Sequence, residues 1–224
     1  MEKVDYRNTK VKKPWGSEYL IYQNNTVAIW LLKIFKGENT SLHCHPNKKT
    51  GLILLTGEGS VDLGFYETKK LKTPDKVMIR PGLFHSTKAL SKDGITVIEL
   101  EAPVDKEDLV RYRDEYGREE KPYEGRESMV ELNNDDIIFG EPEDGKPLLY
   151  NFNSTKVTIE KHSTTESIIN RSKDTIIAII DGSMISKNGS NVLSPGDIVS
   201  PETIDRLSDV FSIKTHLSIL TVTS

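Results

Sequence analysis

The chain holds a single cysteine, Cys44, which excludes an internal disulfide framework and fits a reducing compartment. Long apolar runs are missing too. Charge interrupts every apolar stretch within a few residues, so no segment is expected to span a membrane. Residues 1–16, MEKVDYRNTKVKKPWG, carry lysines with no apolar region behind them; no secretory signal is expected, and the expected setting is cytoplasmic. Charge of one sign is not concentrated either. The net charge of -4 comes from acids and bases mixed along the chain, leaving no basic stripe to track a phosphate backbone, so nucleic acid is not an expected partner. What is present is an ordinary globular composition, 36% hydrophobic and 29% charged, over 224 residues, enough for one large all-β unit or two modest domains.

From Thr26 to Glu101 the chain runs as short β-branched and aliphatic segments closed by Gly, Pro, Asn or Asp, among them TVAIWLLKIF, GLILLTGEGSVDLG, DKVMIRPG and GITVIELEAP. That punctuation belongs to antiparallel strands, and strands this apolar must close or pair to cover their edges, which predicts a barrel. Between Asp105 and Tyr123 charge dominates, and Leu109, Tyr112 and Tyr116 recur at helical spacing, predicting one short amphipathic helix. Residues 124–153, with NNDD and GEPEDGKP, read as an acidic connection, after which the strand pattern returns. IIAIIDGSM echoes LILLTGEGS and GDIVSP echoes DKVMIRP, so residues 124–224 are expected to form a second, degenerate barrel-like domain after a first at 1–123.

The chemistry concentrates in GENTSLHCHPNKKTGLILLTGEG. His43 and His45 are two apart on a predicted strand, so alternation sends both imidazoles to one face. His85 follows the strand DKVMI across RPGLF, and a barrel would lay that strand beside the first. Three imidazoles on one interior are nitrogen donors for Zn, Fe, Mn, Ni or Co and leave positions open for water, substrate or dioxygen. One divalent transition metal on His43, His45 and His85 is therefore the expected cofactor.

The spacing from Gly37 to His43, then His45, then Gly57 resembles the first cupin motif, and PDKVMIRPGLFH resembles the second. Within cupins, KPWGSE at 13–18 and IELEAPVDKEDLVRYRDEYGR at 98–118 resemble the opening and closing segments of the type II mannose-6-phosphate isomerase domain, over roughly residues 12–118. The resemblance implies an all-β cupin barrel (a jelly roll) followed by a second, metal-free cupin-like half, commonly as a dimer. It also implies a small-molecule substrate, a sugar phosphate or nucleotide sugar, in the supply of activated sugars for surface polysaccharide. In that family the metal is held by Gln, His, Glu and His, whereas here the Gln position is His43 and the Glu position is Thr50. Losing that carboxylate leaves three neutral ligands and resembles the three-histidine cupins, some of which are iron dioxygenases.

TVIELEAP puts Glu99 and Glu101 on one strand face. Moving a proton between adjacent carbons needs a base beside a polarised carbonyl; Glu99 is the first candidate, with replacement of the missing ligand, or a plain exposed strand glutamate, as the alternatives. Arg80, where the family has proline, is a candidate grip for a phosphate or carboxylate. Lys48 and Lys49 are expected at a solvated rim. Cys44 is expected to point away from its flanking histidines as a small buried side chain, and Trp15 and Trp30 are expected to pack. His162 and His216 lack partners at ligand spacing, and no metal is expected there. The expected function is a metal-dependent isomerase or epimerase; the alternatives are a three-histidine iron dioxygenase and a non-catalytic carbohydrate-binding barrel.

Overall fold

The computed structural model describes residues 4–224. The first half contributes β1 (Thr9–Lys13), β2 (Gly16–Gln23), β3 (Ala28–Ile34), β4 (Leu42–Cys44), β5 (Lys49–Thr56) and β6 (Glu58–Leu63). It continues with β7 (Glu67–Lys72), β8 (Asp75–Ile79), β9 (His85–Ala89), β10 (Ile95–Ala102), β11 (Val110–Arg113) and β12 (Met129–Glu131). These make a seven-stranded sheet in the order β12-β1-β2-β3-β10-β5-β8 and a five-stranded sheet in the order β11-β4-β9-β6-β7. All the pairings are antiparallel. The two sheets face each other as a jelly-roll barrel.

Alternation divides the large sheet between two cores. Trp30, Leu32, Ile34, Leu52, Leu54, Ile95 and Val97 point inward, where they meet Val61, Leu71 and Ala89 of the small sheet. Ile29, Leu31, Ile53, Leu55, Ile98 and Leu100 point outward and are buried as well. A strand covered on both faces reads as a continuous apolar run, which is why β3, β5 and β10 look that way in sequence.

The outward face is covered by the second half. Its strands are β13 (Leu148–Phe152), β14 (Thr155–His162), β15 (Ile176–Ser186), β16 (Asn191–Leu193), β17 (Ile198–Val199) and β18 (Phe211–Thr223), with α1 (Pro201–Ser208) before the last strand. They form one six-stranded sheet in the order β13-β14-β18-β15-β16, with β17 on β15. Val157, Ile159, Ala178, Ile180, Leu220 and Val222 pack on the barrel, while Ile177, Ile179, Leu217 and Ile219 pack beneath Ile204 of α1. The second half is β, as expected, and consists of a single sheet laid on the first barrel. Thr155 Oγ1 donates to the Leu55 carbonyl at 2.8 Å, and Lys49 pairs with Asp197 at 2.7 Å, tying the layers at β5. β12, beyond position 124, pairs with β1 and so extends the large sheet.

The helix expected within 105–123 does not form. β11 pairs with β4 there, and aspartate side chains build turns in place of helical bonds. Asp105 accepts from the Glu107 N–H, and Asp114 accepts from the N–H groups of Tyr116 and Arg118. Gly117, at φ +70°, completes the turn in a conformation that other residues rarely adopt. This strap crosses the end of the barrel where the histidines lie.

Candidate metal centre

β4 and β9 are neighbours, and their register sets His43 directly opposite His85. Cys44 between the histidines is buried, with burial raising its thiol. The imidazole centroids stand 4.4 Å (His43–His85), 5.1 Å (His43–His45) and 5.5 Å (His45–His85) apart. β10, two strands from β2 in the facing sheet, sends Glu99 and Glu101 inward by the same alternation that sends Val97 there. One ligand atom from each of His43, His45, His85 and Glu99 lies within 4.8 Å of the others.

Each ring is oriented from behind. His43 Nδ1 donates to the Ser41 carbonyl at 2.8 Å, His45 Nδ1 to the Asp108 carbonyl at 2.6 Å, and His85 Nδ1 to the Leu83 carbonyl at 3.0 Å. A carbonyl can only accept, so all three rings carry the proton on Nδ1 and offer an Nε2 lone pair. Nε2 of His45 and of His85 is buried with no hydrogen-bond partner among the described residues. Burial, with the neighbouring imidazoles, holds His43 well below the usual histidine range and His85 at about 4; burial likewise lowers His45. Neutral imidazoles with a backbone-pinned Nδ1 and an orphaned Nε2 are the donor set a divalent transition metal requires, so the residues fit such an ion.

The two carboxyls have opposite surroundings. Burial and the nearby Glu101 charge raise Glu99 to about 8. Burial would raise Glu101 too, but Lys106, Lys48 and His45 pull it down to about 2. Lys48 Nζ donates to Glu101 Oε1 at 2.9 Å, and that oxygen lies 3.8 Å from His45 Nε2. Thr50, in the position of the family carboxylate, is 1% exposed with its hydroxyl unpartnered among the described residues. Glu99 brings a carboxylate to the histidines from a different strand.

Two expectations are corrected. Arg80 follows inward-facing Ile79, so alternation turns it outward; it is exposed and does not line the histidine pocket. Lys48 is not a rim residue but 1% exposed, while Lys49 reaches Asp197 and Ser194 of the second half. The cations that do line the pocket are Lys13, Lys106, Arg111 and Arg118. Each has an acidic partner: Lys13 with Glu124, Lys106 with Glu18 at 3.1 Å, Arg111 with Glu124 at 3.5 Å, and Arg118 with Asp114 at 2.6 Å. Tyr123 closes this layer by donating to Glu18. His162 pairs with Glu160 at 2.9 Å and His216 with Asp181 at 2.8 Å, both away from the cluster.

Sequence reasoning missed Lys13, Lys106 and Asp108. Asp108 is a strut: its carboxylate accepts from the Asn47 N–H at 3.0 Å, Asn47 Nδ2 at 2.9 Å and the Lys48 N–H at 3.0 Å, while its carbonyl holds His45. Lys106 Nζ lies 3.6 Å from the Trp30 ring centroid and 4.4 Å from that of Tyr123. Burial opposes its charge, but Glu101, Glu18 and Glu99 raise its pKa. Nothing local in the sequence marks these residues, because the strap that buries them is placed by tertiary contacts.

No protein-family profile matches the sequence, and no curated protein matches it. Among solved structures, a protein with a double-stranded β-helix domain from Klebsiella pneumoniae is 16% identical, covering 43% of this chain and 84% of its own, with a TM-score of 0.40. The Schizosaccharomyces pombe Cnp3 cupin domain is 14% identical, covering 38% of this chain and 63% of its own, with a TM-score of 0.37. A sugar phosphate isomerase-like protein from Acidithiobacillus ferrooxidans is 18% identical, covering 36% of this chain and 52% of its own, with a TM-score of 0.33. The fold, as its sheets show, is an all-β jelly-roll barrel with a further sheet laid on it. Likeness at these scores carries nothing about what the chain acts on.

Proposed function

We propose that the protein is a metal-dependent isomerase or epimerase of a small sugar derivative, with sugar phosphates as the leading substrate class and nucleotide sugars as the other. His43, His45 and His85 hold one divalent metal in this reading. The observation that supports it is the arrangement of three Nδ1-pinned imidazoles, with the Nε2 atoms of His45 and His85 buried and unpartnered among the described residues, beside two inward carboxyls. A metal held there would supply Lewis acidity toward a substrate carbonyl. In its ionised form, which burial and the Glu101 charge disfavour, Glu99 takes the proton from one carbon and returns it to its neighbour. Glu101, tied to Lys48, fixes the charge balance around Glu99 and excludes a second mobile proton. Lys13, Arg111 and Arg118 form the cationic side of the pocket, the place for an anionic group of the substrate, in the role first assigned to Arg80. The resemblance of residues 12–118 to the mannose-6-phosphate isomerase domain supports the same reaction class.

A second reading is favoured by one observation: Glu99 lies within ligand distance of the histidine group. As a fourth ligand it would complete a three-histidine, one-carboxylate set suited to an iron oxygenase.

The test reconstitutes the apo protein with single metals and measures metal content in wild type, His45→Ala and Glu99→Gln. Solvent deuterium incorporation is then followed on a panel of aldose and ketose phosphates. About one equivalent of metal, lost in His45→Ala and kept in Glu99→Gln, with deuterium incorporation abolished only by losing Glu99 or the metal, is expected. Metal loss in Glu99→Gln together with iron-dependent oxygen uptake would establish the oxygenase. No metal under any reconstitution would overturn both and leave a carbohydrate-binding barrel.

A further inference from the structure

The cavity at the histidines is small, about 50 Å³. One water needs about 10–15 Å³ in this measure, so the cavity admits the reacting end of a substrate and not a whole sugar ring. Beside it lies a recess of about 350 Å³ whose walls include Tyr6, Leu20, Trp30 and Val104, with Gln23 also in its lining. Glu101 and Lys106 line both spaces. They form the partition between recess and histidine pocket.

We infer that this recess is a subsite for the non-reacting part of the substrate, and that this part is an uncharged, hydroxylated, sugar-sized ring. The inference rests on the proposed reading of the histidine pocket for what reacts, but its own support is separate. The indole N–H of Trp30, a residue 2% exposed, finds no acceptor among the described residues, although Tyr6 packs edge-on against the ring at 5.8 Å. A buried donor left without a partner is costly, and a ligand hydroxyl oxygen entering the recess, where the indole is part of the wall, would satisfy it once the atoms that close the nitrogen from solvent move aside. Leu20 and Val104 beside Trp30 offer an apolar wall to the C–H face of a ring. The charged groups lining the recess are Asp5, Asp105 and Glu101 against Arg7 and Lys106, and Arg7 is already bound to Asp5 at 2.6 Å. An excess of carboxylates accepts hydrogen bonds from hydroxyls and repels phosphate. The recess therefore suits a neutral, hydroxylated part of the substrate and not its anionic end.

The test uses the full chain, metal-loaded and metal-free, titrated with neutral hexoses and separately with inorganic phosphate. Binding is followed by saturation-transfer NMR and calorimetry. Gln23→Trp places a bulky ring at an exposed lining position, and Trp30→Phe removes the indole donor. The expected result is saturable hexose binding that phosphate does not displace, weakened at least tenfold by Gln23→Trp and several-fold by Trp30→Phe, with metal content unchanged in both. Because Trp30 is a core residue, Gln23→Trp keeps the test decisive if Trp30→Phe misfolds. Hexose binding that ignores Gln23→Trp, or no saturable hexose binding by folded wild-type protein, would overturn the subsite. A protein that takes up no metal yet binds hexose in a Gln23-sensitive way would support the subsite while removing the metal-centre reading.

Discussion

Asp108→Ala should weaken metal binding although Asp108 touches neither metal nor substrate. Its carboxylate takes three hydrogen bonds from Asn47 and Lys48, and its carbonyl takes the Nδ1 proton of His45. Removing the side chain frees the turn that carries Lys48 and loosens the backbone that aims His45. Partners that orient a metal-ligating histidine are worth about 10–100-fold in affinity, or about 1.4–2.7 kcal/mol. The lost bonds themselves cost about 2–3 kcal/mol of stability, since each is worth about 0.5–1.5 kcal/mol and Asn47 is exposed enough for water to replace part of them. The assay is competition for Zn²⁺ or Co²⁺ against a chromophoric chelator, with the Co²⁺ spectrum reporting ligand geometry. Asp108→Asn keeps an acceptor oxygen and should recover most of the affinity. A folded Asp108→Ala protein that binds metal within twofold of wild type, with an unchanged Co²⁺ spectrum, would refute the reasoning.

Lys48→Met should destabilise the fold by about 3–5 kcal/mol in urea unfolding at neutral pH, because it strands Glu101 in the barrel; adding Glu101→Gln should recover part of the loss. Chelator dialysis should lower the melting temperature, since a hundredfold excess of metal over its Kd contributes about 2.7 kcal/mol, or about 5–10 °C for a chain of this size, and His45→Ala should show no such shift. Acid should weaken the second half through Glu160. Burial would raise its carboxyl, but bonds from His162 and Arg171 hold it at about 2, below its ordinary 4.5. A depressed carboxylate stabilises the fold above its unfolded pKa, and that contribution fades as pH falls from about 4.5 toward about 2. After discounting for solvent screening it is about 1–2 kcal/mol, and Glu160→Gln should flatten the stability profile in that window.

The histidines were legible because two of them obey strand alternation and the third follows a strand bounded by a Pro-Gly turn. Glu99 and Glu101 were legible for the same reason, and alternation applied to β8 also explains why Arg80 faces away. The strap was misread because Leu109, Tyr112 and Tyr116 mimic a helical stripe while Asp105 and Asp114 spend their side chains on turn N–H groups. Lys13, Lys48 and Lys106 look like surface lysines in any local window. Their burial follows from acids far along the chain, Glu124, Glu101 and Glu18 respectively, which no periodicity reveals.

The sheet formed by β13 to β18 decides how this protein can be cut into pieces. A gene fragment ending near residue 128 would retain every histidine-pocket side chain yet present Ile29, Leu31, Ile53, Leu55, Ile98 and Leu100 to water. At about 1.5–3 kcal/mol for each such side chain, the loss is on the order of 10 kcal/mol, as large as the whole stability of a typical domain. Such a fragment would emerge from the ribosome with an adhesive face, and expression trials that trim the gene to its motif-bearing half should yield inclusion bodies.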